Sequence, residues 1–219
     1  MSENQESKNL RLFPLQSVVL FPGMELPLVA FEPRYLQLVS ECVEANEPFG
    51  VLLLKEGFEV GDSDLSPFEI GTTAHLLNTE NTPDGRIRLT AIGGYRFKVI
   101  SFHYDMPYLS AAVEYIEDSS HEMIDPSLTE NVMHDAGSFV KQFIASQGGY
   151  IREVPFPEDP VILSYQVAQL FSGNPVKQQK LLETSTFDRL WEELDLLKEA
   201  REQLKTKRKH NPKSSFSKN

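Results

Sequence analysis

The chain has 219 residues, of which 40% are hydrophobic and 24% are charged, a composition typical of a soluble globular protein large enough to bury a core. Its net charge is −11, yet 198–219 holds eight basic and two acidic residues, which leaves 13 basic and 30 acidic residues, or −17, for the rest. An acidic body repels phosphate backbones, so the composition argues against a nucleic-acid-binding domain. We expect the basic tail, 206–219, to be disordered, and only this tail suits nucleic acid or an acidic partner.

Three further features exclude other classes of protein. The single cysteine, Cys42, cannot form an intramolecular disulfide, and we expect it to be a small buried hydrophobe. No apolar run approaches about 18 residues, which argues against a membrane span. The first residues lack a basic region followed by an apolar run, so no signal peptide is predicted. We therefore predict a cytoplasmic protein that is monomeric by default, with scope for weak self-association.

Turn chemistry defines the first elements. We predict a strand over Leu12–Leu20, followed by a type II turn in which Pro22 sets φ at the second position and Gly23 supplies the positive φ at the third. A second strand covers Leu26–Phe31. Pro33 then opens a helix, because the first helical position needs no N–H partner. The spacing of its apolar residues predicts a helix that ends near Asn46 and buries Tyr35, Leu36, Val39, Cys42 and Val43.

The middle of the chain is predicted to be rich in strands. Phe49–Leu54 is a continuous apolar run that indicates a buried strand. Glu69–Glu80 and Arg86–Ile92 are joined by Pro83, Asp84 and Gly85, residues that favour a hairpin turn. The pair Gly93-Gly94 permits a bend or bulge before the next strand. With a last strand over Tyr108–Tyr115, these elements indicate a compact, partly closed β-barrel.

The second half of the chain changes to helical periodicity. Asp125-Pro126, Asp159-Pro160 and Asn174-Pro175 each place a capping side chain before a proline at the first helical position. Ser185 and Asp188 have the spacing of a capping box, which predicts a fourth helix start. The first of these helices carries a long apolar stripe formed by Leu128, Val132, Ala136, Phe139, Val140, Phe143 and Ile144.

The last predicted helix is a candidate for association with a partner or with a second copy. Its apolar seam is formed by Leu190, Leu194, Leu197 and Leu204, and Trp191 widens it. The interpretation that we favour is that the first half of this helix packs on the other helices. Because Arg201 occupies one seam position and the seam is short, the pattern does not support a coiled coil.

A series of short motifs in a fixed order connects this chain to a known family. The motifs are Leu12-Phe13-Pro14-Leu15, Leu20-Phe21-Pro22-Gly23-Met24, Leu26-Pro27-Leu28, Phe31-Glu32-Pro33-Arg34-Tyr35, Phe49-Gly50-Val51, Glu69-Ile70-Gly71-Thr72, Asp84-Gly85-Arg86 and Gly94-Tyr95-Arg96-Phe97. Together they resemble the amino-terminal, substrate-binding domain of the Lon protease, in a free-standing form. The resemblance implies an α+β fold: a PUA-like β pseudobarrel with one early helix over 9–118, then a small helical bundle over 119–205 that ends in a long helix.

The sequence lacks the motifs of the enzymatic parts of that family and of other common enzymes. It contains no Gly-x-x-x-x-Gly-Lys-Ser/Thr loop, no Gly-x-Ser-x-Gly elbow and no His-Glu-x-x-His pair. One cysteine and five scattered histidines do not make a zinc site. We therefore predict no catalytic residues, no metal and no cofactor. The resemblance implies a non-catalytic module that recognises exposed apolar or unfolded polypeptide, or a partner protein; the alternatives are a PUA-like RNA-binding protein and a hydrolase with an unrecognised site.

The candidate binding residues lie around the first turn and the start of the first helix. Glu32 and Arg34 are suited to clamp the termini of a ligand, or else serve as a helix cap and an ion pair. Met24, Phe31 and Tyr35 are suited to line an apolar groove together with Phe13, or else belong to the core. The predicted peptide- or partner-binding set is Pro22, Gly23, Met24, Phe31, Glu32, Arg34 and Tyr35.

Overall fold

The computed structural model describes residues 8–55, 66–118 and 124–210, with side chains up to residue 206. It contains six strands and five α-helices. The strands are β1 (Lys8–Leu15), β2 (Glu25–Ala30), β3 (Phe49–Leu53), β4 (Ile70–Asn81), β5 (Ile87–His103) and β6 (Ser110–Ile116). The helices are α1 (Pro33–Ala45), α2 (Pro126–Ser146), α3 (Pro160–Ala168), α4 (Pro175–Glu183) and α5 (Thr186–His210), and a 3-10 turn covers Gln169–Phe171.

The chain divides into two compact units. The first, the sheet unit, comprises Met1–Glu117 with Gln169–Glu183, and the second, the helical unit, comprises Asp118–Ala168 with Thr184–Asn219. The helical bundle predicted from the sequence extended over all of 119–205. In the structure α4 groups with the strands, because the Gln179 amide donates to the Ile70 carbonyl at 2.9 Å and Arg96 donates to the Leu182 carbonyl at 2.7 Å.

The strands form a barrel with one additional strand, in agreement with the predicted pseudobarrel. The sheet order is β2-β5-β4-β3-β1-β6, and a further pairing of β5 with β6 closes a ring of five strands, leaving β2 outside on β5. All pairings are antiparallel except that of β1 with β3. The 17 residues of β5 allow its first half to pair with β2 and its second half to pair with β6.

The predicted bulge at Gly93-Gly94 is present, but it does not end the strand. The register of β4 on β5 shifts between Thr72 and Ala74, opposite these glycines, and β5 continues to His103. A Cβ at Gly93 would lie 2.1 Å from the carbonyl oxygen of Phe21. Gly93 therefore permits a close approach of two backbone segments.

The first strand is shorter than predicted. β1 ends at Leu15, whereas the prediction extended to Leu20. Val19 and Leu20 are buried without being in a strand, and the Leu20 carbonyl accepts a hydrogen bond from the Thr72 hydroxyl at 2.6 Å. The buried backbone of this apolar run does not need a neighbouring strand, because a side chain supplies the hydrogen bond that a strand would otherwise supply.

Helix α1 begins and ends where the sequence predicts. Pro33 occupies the first turn and Asn46, with φ of 53°, forms a left-handed C-cap. Its buried face is Tyr35, Leu38, Val39 and Cys42, whereas Val43 is 49% exposed, so the prediction for Val43 was wrong. Leu38 and Val43 both fit a spacing of three and four residues, and only the packing of α1 against the sheet shows which of the two is buried.

All four predicted helix starts are confirmed, each with a capping side chain in place. Asp125 accepts from the Ser127 N–H, Asp159 from the Val161 N–H, Asn174 from the Lys177 N–H and Ser185 from the Asp188 N–H. Helix α5 continues to His210, so 206–210 are helical rather than disordered, and the remainder of the predicted tail, 211–219, lies outside the described residues.

The apolar stripe of α2 is buried only in its first half. Leu128, Val132 and Ala136 are buried, whereas Phe143 is 47% exposed and Phe139 is half-buried. The predicted apolar stripe is therefore covered in its first turns and partly exposed in its last turns, although the spacing is the same throughout. Whether an apolar stripe on a helix is buried depends on how far the neighbouring helices extend along it, and the spacing of the apolar residues does not contain this information.

A buried arginine contacts several other residues of the helical unit. Arg189 of α5 has no exposed surface, and its guanidinium lies 4.0 Å from the centre of the Tyr165 ring. Its Nε donates to the Ser164 hydroxyl at 2.9 Å, and one Nη lies 3.5 Å from the carboxylate of Asp118. The Tyr165 hydroxyl donates to the same carboxylate at 2.6 Å. The guanidinium thus has an aromatic face, a hydroxyl and a carboxylate in place of water.

One turn further along α5, Glu193 is also fully buried. Among the described residues neither of its carboxylate oxygens has a hydrogen-bond partner. Burial raises the pKa of Glu193 well above its usual value, although the charge of Arg189 opposes this shift. The folded protein therefore binds this proton more tightly than the unfolded chain does, and stability falls as the pH rises above the ordinary range of a glutamate.

We expect Glu193→Gln to raise the free energy of unfolding at pH 7 to 8 by about 1–3 kcal/mol, because an amide avoids the cost of a buried charge. The gain should shrink as the pH falls toward the ordinary pKa of a glutamate, about 4.3, and vanish below it, where the wild-type carboxyl is protonated in both states. Urea unfolding between pH 4 and pH 8 measures this difference. The matched control is Asp195→Asn, on the exposed side of the same helix, with an expected change within about 0.5 kcal/mol. A gain from Glu193→Gln that is independent of pH would contradict this account.

Candidate functional site

A cleft opens in the sheet unit where the end of β1, the end of β2 and the start of α1 meet. We call it the β1–β2 cleft; its volume is about 250 Å³, and its apolar lining includes Phe13, Leu15, Leu28, Val29, Phe31 and Tyr35. Residues 28–35 supply most of these side chains, because β2 ends at Ala30 and the helix begins three residues later. The chain reversal between strand and helix therefore places apolar side chains on two sides of one opening.

The cleft has a rigid aromatic wall and an exposed rim. The rings of Phe13 and Tyr35 stack with their centres 4.1 Å apart and an interplanar angle of 14°, and both residues are buried. Burial raises the pKa of Tyr35, so its hydroxyl stays neutral near pH 7. By contrast Phe31 is 62% exposed and Val29 is 45% exposed. Two large apolar side chains at the rim thus remain in contact with water.

Charged groups border the same opening. Arg34 and Glu32 form an ion pair with 2.6 Å between Nη2 and Oε2, and the guanidinium lies 4.9 Å from the centre of the Tyr35 ring. Glu32 stands at the N-cap position of α1, but its side chain makes no capping hydrogen bond. Of the two structural roles considered for this pair, the ion pair is the one observed.

The structure separates the predicted binding residues into two groups. Phe31, Glu32, Arg34 and Tyr35 line the β1–β2 cleft together. Pro22 and Gly23 form the predicted turn, with φ of 75° at Gly23, and Met24 closes the turn by donating its N–H to the Phe21 carbonyl at 3.0 Å. The Met24 side chain packs against the core of the sheet unit, so this second group does not line the cleft.

Sequence reasoning missed Leu28 and Val29 as cleft residues. Both were predicted to lie in a strand. The sequence signal for an exposed Val29 was the alternation of side chains along β2, which buries Leu26 and Ala30 and exposes Pro27 and Val29. An exposed valine in a strand is ordinary by itself. Its significance here comes from the neighbouring side chains of Phe13 and Phe31 in the folded chain.

The predicted association helix shows less exposed apolar surface than its seam suggests. Leu190, Leu194 and Leu197 are buried and Leu204 is half-buried, in agreement with packing of the first half of α5 on the other helices. Trp191 is 52% exposed. It borders a second cleft, of about 360 Å³, together with Leu128, Phe187 and Leu194.

Two kinds of reactive group were considered among the described residues: a metal cluster and a reactive thiol. No group of three or more His, Cys, Asp or Glu residues there is placed to hold a metal ion. Cys42 is buried, and burial raises the pKa of its thiol to about 11, so it stays protonated near pH 7. Among the same residues, no helix has the length and apolar content required to cross a membrane.

Comparison with known proteins relates the chain to one family. The profile of the ATP-dependent protease La (LON) substrate-binding domain matches residues 9–199. That profile covers the substrate-binding domain and neither the ATPase nor the protease domain of Lon. The Lon protease of Methylocella silvestris is 28% identical over 178 residues, which is 80% of this chain and 22% of that protein. The Lon protease of Paraburkholderia phytofirmans is also 28% identical, over 180 residues, 80% of this chain and 22% of the relative.

Solved structures agree with this relationship. The Lon N-terminal domain protein from Xanthomonas campestris superposes with a TM-score of 0.65 at 25% identity, covering 86% of this chain and 98% of that one. The N-terminal domain of Mycobacterium avium complex Lon protease has the same fold, with a TM-score of 0.67 at 15% identity over 87% and 98% of the two chains. The chain spans about a fifth of the length of the curated Lon proteases that it matches. It belongs to the family of the Lon substrate-binding domain.

Proposed function

We propose that this chain is a non-catalytic module that binds exposed apolar segments of unfolded or partner polypeptides in the β1–β2 cleft. The observation that carries the proposal is the exposed ring of Phe31 beside the stacked rings of Phe13 and Tyr35. An exposed aromatic side chain next to a preformed apolar wall gains free energy when a further apolar group covers both. The module needs no metal or cofactor in this proposal, and it acts in the cytoplasm as a monomer.

The size and charge of the cleft favour a polypeptide side chain over a small metabolite. Its volume of about 250 Å³ lies below the range of about 300–1,000 Å³ that is usual for small-molecule pockets. The adjoining charges of Glu32 and Arg34 are neutralised by each other, so the opening has no unpaired charge from this pair to select an ionic ligand. The relatives are Lon proteases, and the matching domain of that family is described as substrate-binding.

The direct test is fluorescence anisotropy with a labelled peptide of about ten residues that alternates Thr and Val around one central Phe. We expect binding by the wild-type chain and an affinity about five to thirty times lower for Phe31→Ala, because the covered aromatic surface is worth about 1–2 kcal/mol. A peptide of the same length with Ser in place of Val and Phe should bind far more weakly.

The matched control is Tyr95→Ala, which removes an aromatic side chain of similar exposure, 66%, from a site that does not line the cleft. Its affinity for the labelled peptide should remain within about twofold of wild type, as expected for a surface residue away from the site. Equal losses for the two variants, or no binding of the apolar peptide by the wild-type chain, would contradict the proposed function.

A further inference from the structure

Strand β2 is an edge of the sheet. Among the described residues it pairs with β5 alone, at one end of the strand order. The strand is short, from Glu25 to Ala30, and it leads directly to Phe31 at the rim of the β1–β2 cleft. An edge strand presents a row of backbone N–H and C=O groups that can pair with another extended chain.

The register determines which backbone groups of β2 face outward. The Gly93 N–H donates to the Met24 carbonyl at 2.9 Å, so Met24 directs its carbonyl toward β5. Because the direction alternates along an antiparallel strand, Leu26, Leu28 and Ala30 also face β5. The backbone groups of Glu25, Pro27 and Val29 therefore point to the free edge.

The position of Pro27 supports the same alternation independently. Proline cannot donate to a ladder, so within a strand it is expected where the nitrogen faces away from the paired neighbour. Glu25, Pro27 and Val29 all have exposed side chains, so the described part of the chain does not pack over the face on which they lie, and within that part β5 is the strand's one ladder partner. Near the cleft, the free edge thus offers the N–H and C=O of Val29 and the C=O of Pro27.

We infer that a bound polypeptide adds to β2 as a short extended strand, pairing with Val29 while one of its apolar side chains enters the β1–β2 cleft. This inference rests on the proposed function and specifies the conformation of the polypeptide that the cleft receives. An extended segment is the occupant that fits, because its N–H and C=O groups point to one side at alternate residues and match those of the edge. A helical segment has already used these groups within itself.

Pro27 limits the length of this pairing. A partner carbonyl opposite Pro27 finds no N–H, so the ladder cannot extend along the whole of β2. Only the end beside the cleft combines a donor and an acceptor with apolar side chains, those of Val29 and Phe31. Backbone pairing over a few residues recognises conformation rather than sequence, which fits a binder of many different unfolded segments.

Alternate N-methylation of the labelled peptide tests this inference. Two versions carry N-methyl groups at alternate residues on either side of the central Phe, one set shifted by a single residue relative to the other. Both versions keep every side chain and have similar backbone stiffness, but in an added strand only one set of N–H groups points at β2. We expect one version to bind about tenfold more weakly than the unmodified peptide and the other to bind within about threefold.

Equal affinities for the two methylated peptides, with the unmodified peptide still bound and still dependent on Phe31, would overturn the added strand while leaving the proposed function intact. Loss of binding by the unmodified peptide would refute both. Val29→Pro provides the corresponding change in the protein, since it removes the outward N–H at an edge position that tolerates proline; Val29→Ala, which keeps that N–H but shortens the same cleft side chain, is its control and should lose less affinity. Provided that its unfolding midpoint stays near that of wild type, we expect at least about a fivefold loss of affinity for the peptide. Unchanged affinity of Val29→Pro for the peptide would also overturn the inference. So would a wild-type dimer that sedimentation detects without peptide and that Val29→Pro abolishes, because β2 would then pair with a second copy of the chain.

Discussion

Replacing Gly93 with alanine is expected to lower the free energy of unfolding by about 3 kcal/mol. The new Cβ would lie 2.1 Å from the carbonyl oxygen of Phe21 and 2.9 Å from its carbonyl carbon. Both atoms belong to the backbone, so no side-chain rotation relieves the clash. The Gly93 carbonyl also accepts a hydrogen bond from the N–H of Gly23, at 2.8 Å, in the turn that precedes β2. The strain at Gly93 should therefore extend through this turn to the start of β2.

Gly137→Ala is the matched control for Gly93→Ala. Gly137 lies within α2, and a Cβ there would meet no atom within 4 Å. Alanine is the better helix former by about 0.8–1.0 kcal/mol, so the same chemical change should stabilise the protein at this position. Urea unfolding followed by far-UV circular dichroism measures both variants. Changes of the same sign at the two positions would contradict the close approach of β5 and the first turn.

Replacing Arg189 with methionine should lower the free energy of unfolding by about 3–5 kcal/mol. Methionine has a similar length but no hydrogen-bond donor, so the Asp118 carboxylate loses its buried cation and the Ser164 hydroxyl loses its partner. The stacking of the guanidinium on the Tyr165 ring is lost as well. Breaking a buried charged network by removing one member costs more than the network contributes as a whole, because the remaining members stay buried.

Lys198→Met on the same helix is the control for Arg189→Met. Lys198 pairs with Asp195 at 3.3 Å, but both side chains are largely exposed, so the expected change is within about 0.5 kcal/mol. Arg189→Lys should rescue little, since an ammonium group cannot bond Ser164, Thr186 and Asp118 in the planar geometry of the guanidinium. A loss below about 1 kcal/mol for Arg189→Met would show that the network contributes little to the helical unit.

Local residues predicted the helix boundaries well. Three predicted starts combine a capping side chain with proline at the next position and the fourth has the spacing of a capping box, and each of the four caps is formed in the structure. The same holds for the turn at Gly23 and the C-cap at Asn46, both of which have positive φ. These features depend on a few adjacent residues, so the sequence contains all the information that they require.

The failures of sequence reasoning concern which surface is covered. The stripe of α2 is equally apolar along its length, but its last turns are only partly covered, and Val43 of α1, predicted to be buried, is 49% exposed. Phe13, Phe31 and Tyr35, considered from the sequence as groove residues, line the β1–β2 cleft together with Leu28 and Val29, which the sequence did not single out, whereas Met24 packs against the core. Whether a side chain is buried depends on helices and strands that are distant along the chain, and the spacing of residues within one element does not predict it.

The family resemblance, the order of strands and helices, and the positions of turns and caps can all be predicted from the amino-acid sequence, because these features depend on neighbouring residues. Only the folded chain shows that α4 joins the strands, that Arg189 is buried within the helical unit, and that β2 pairs with β5 alone among the described residues. These outcomes arise from long-range pairing, in which a short strand competes for partners that lie up to about 70 residues away. The edge and the cleft beside it come from that pairing, since no single stretch of chain contains both walls.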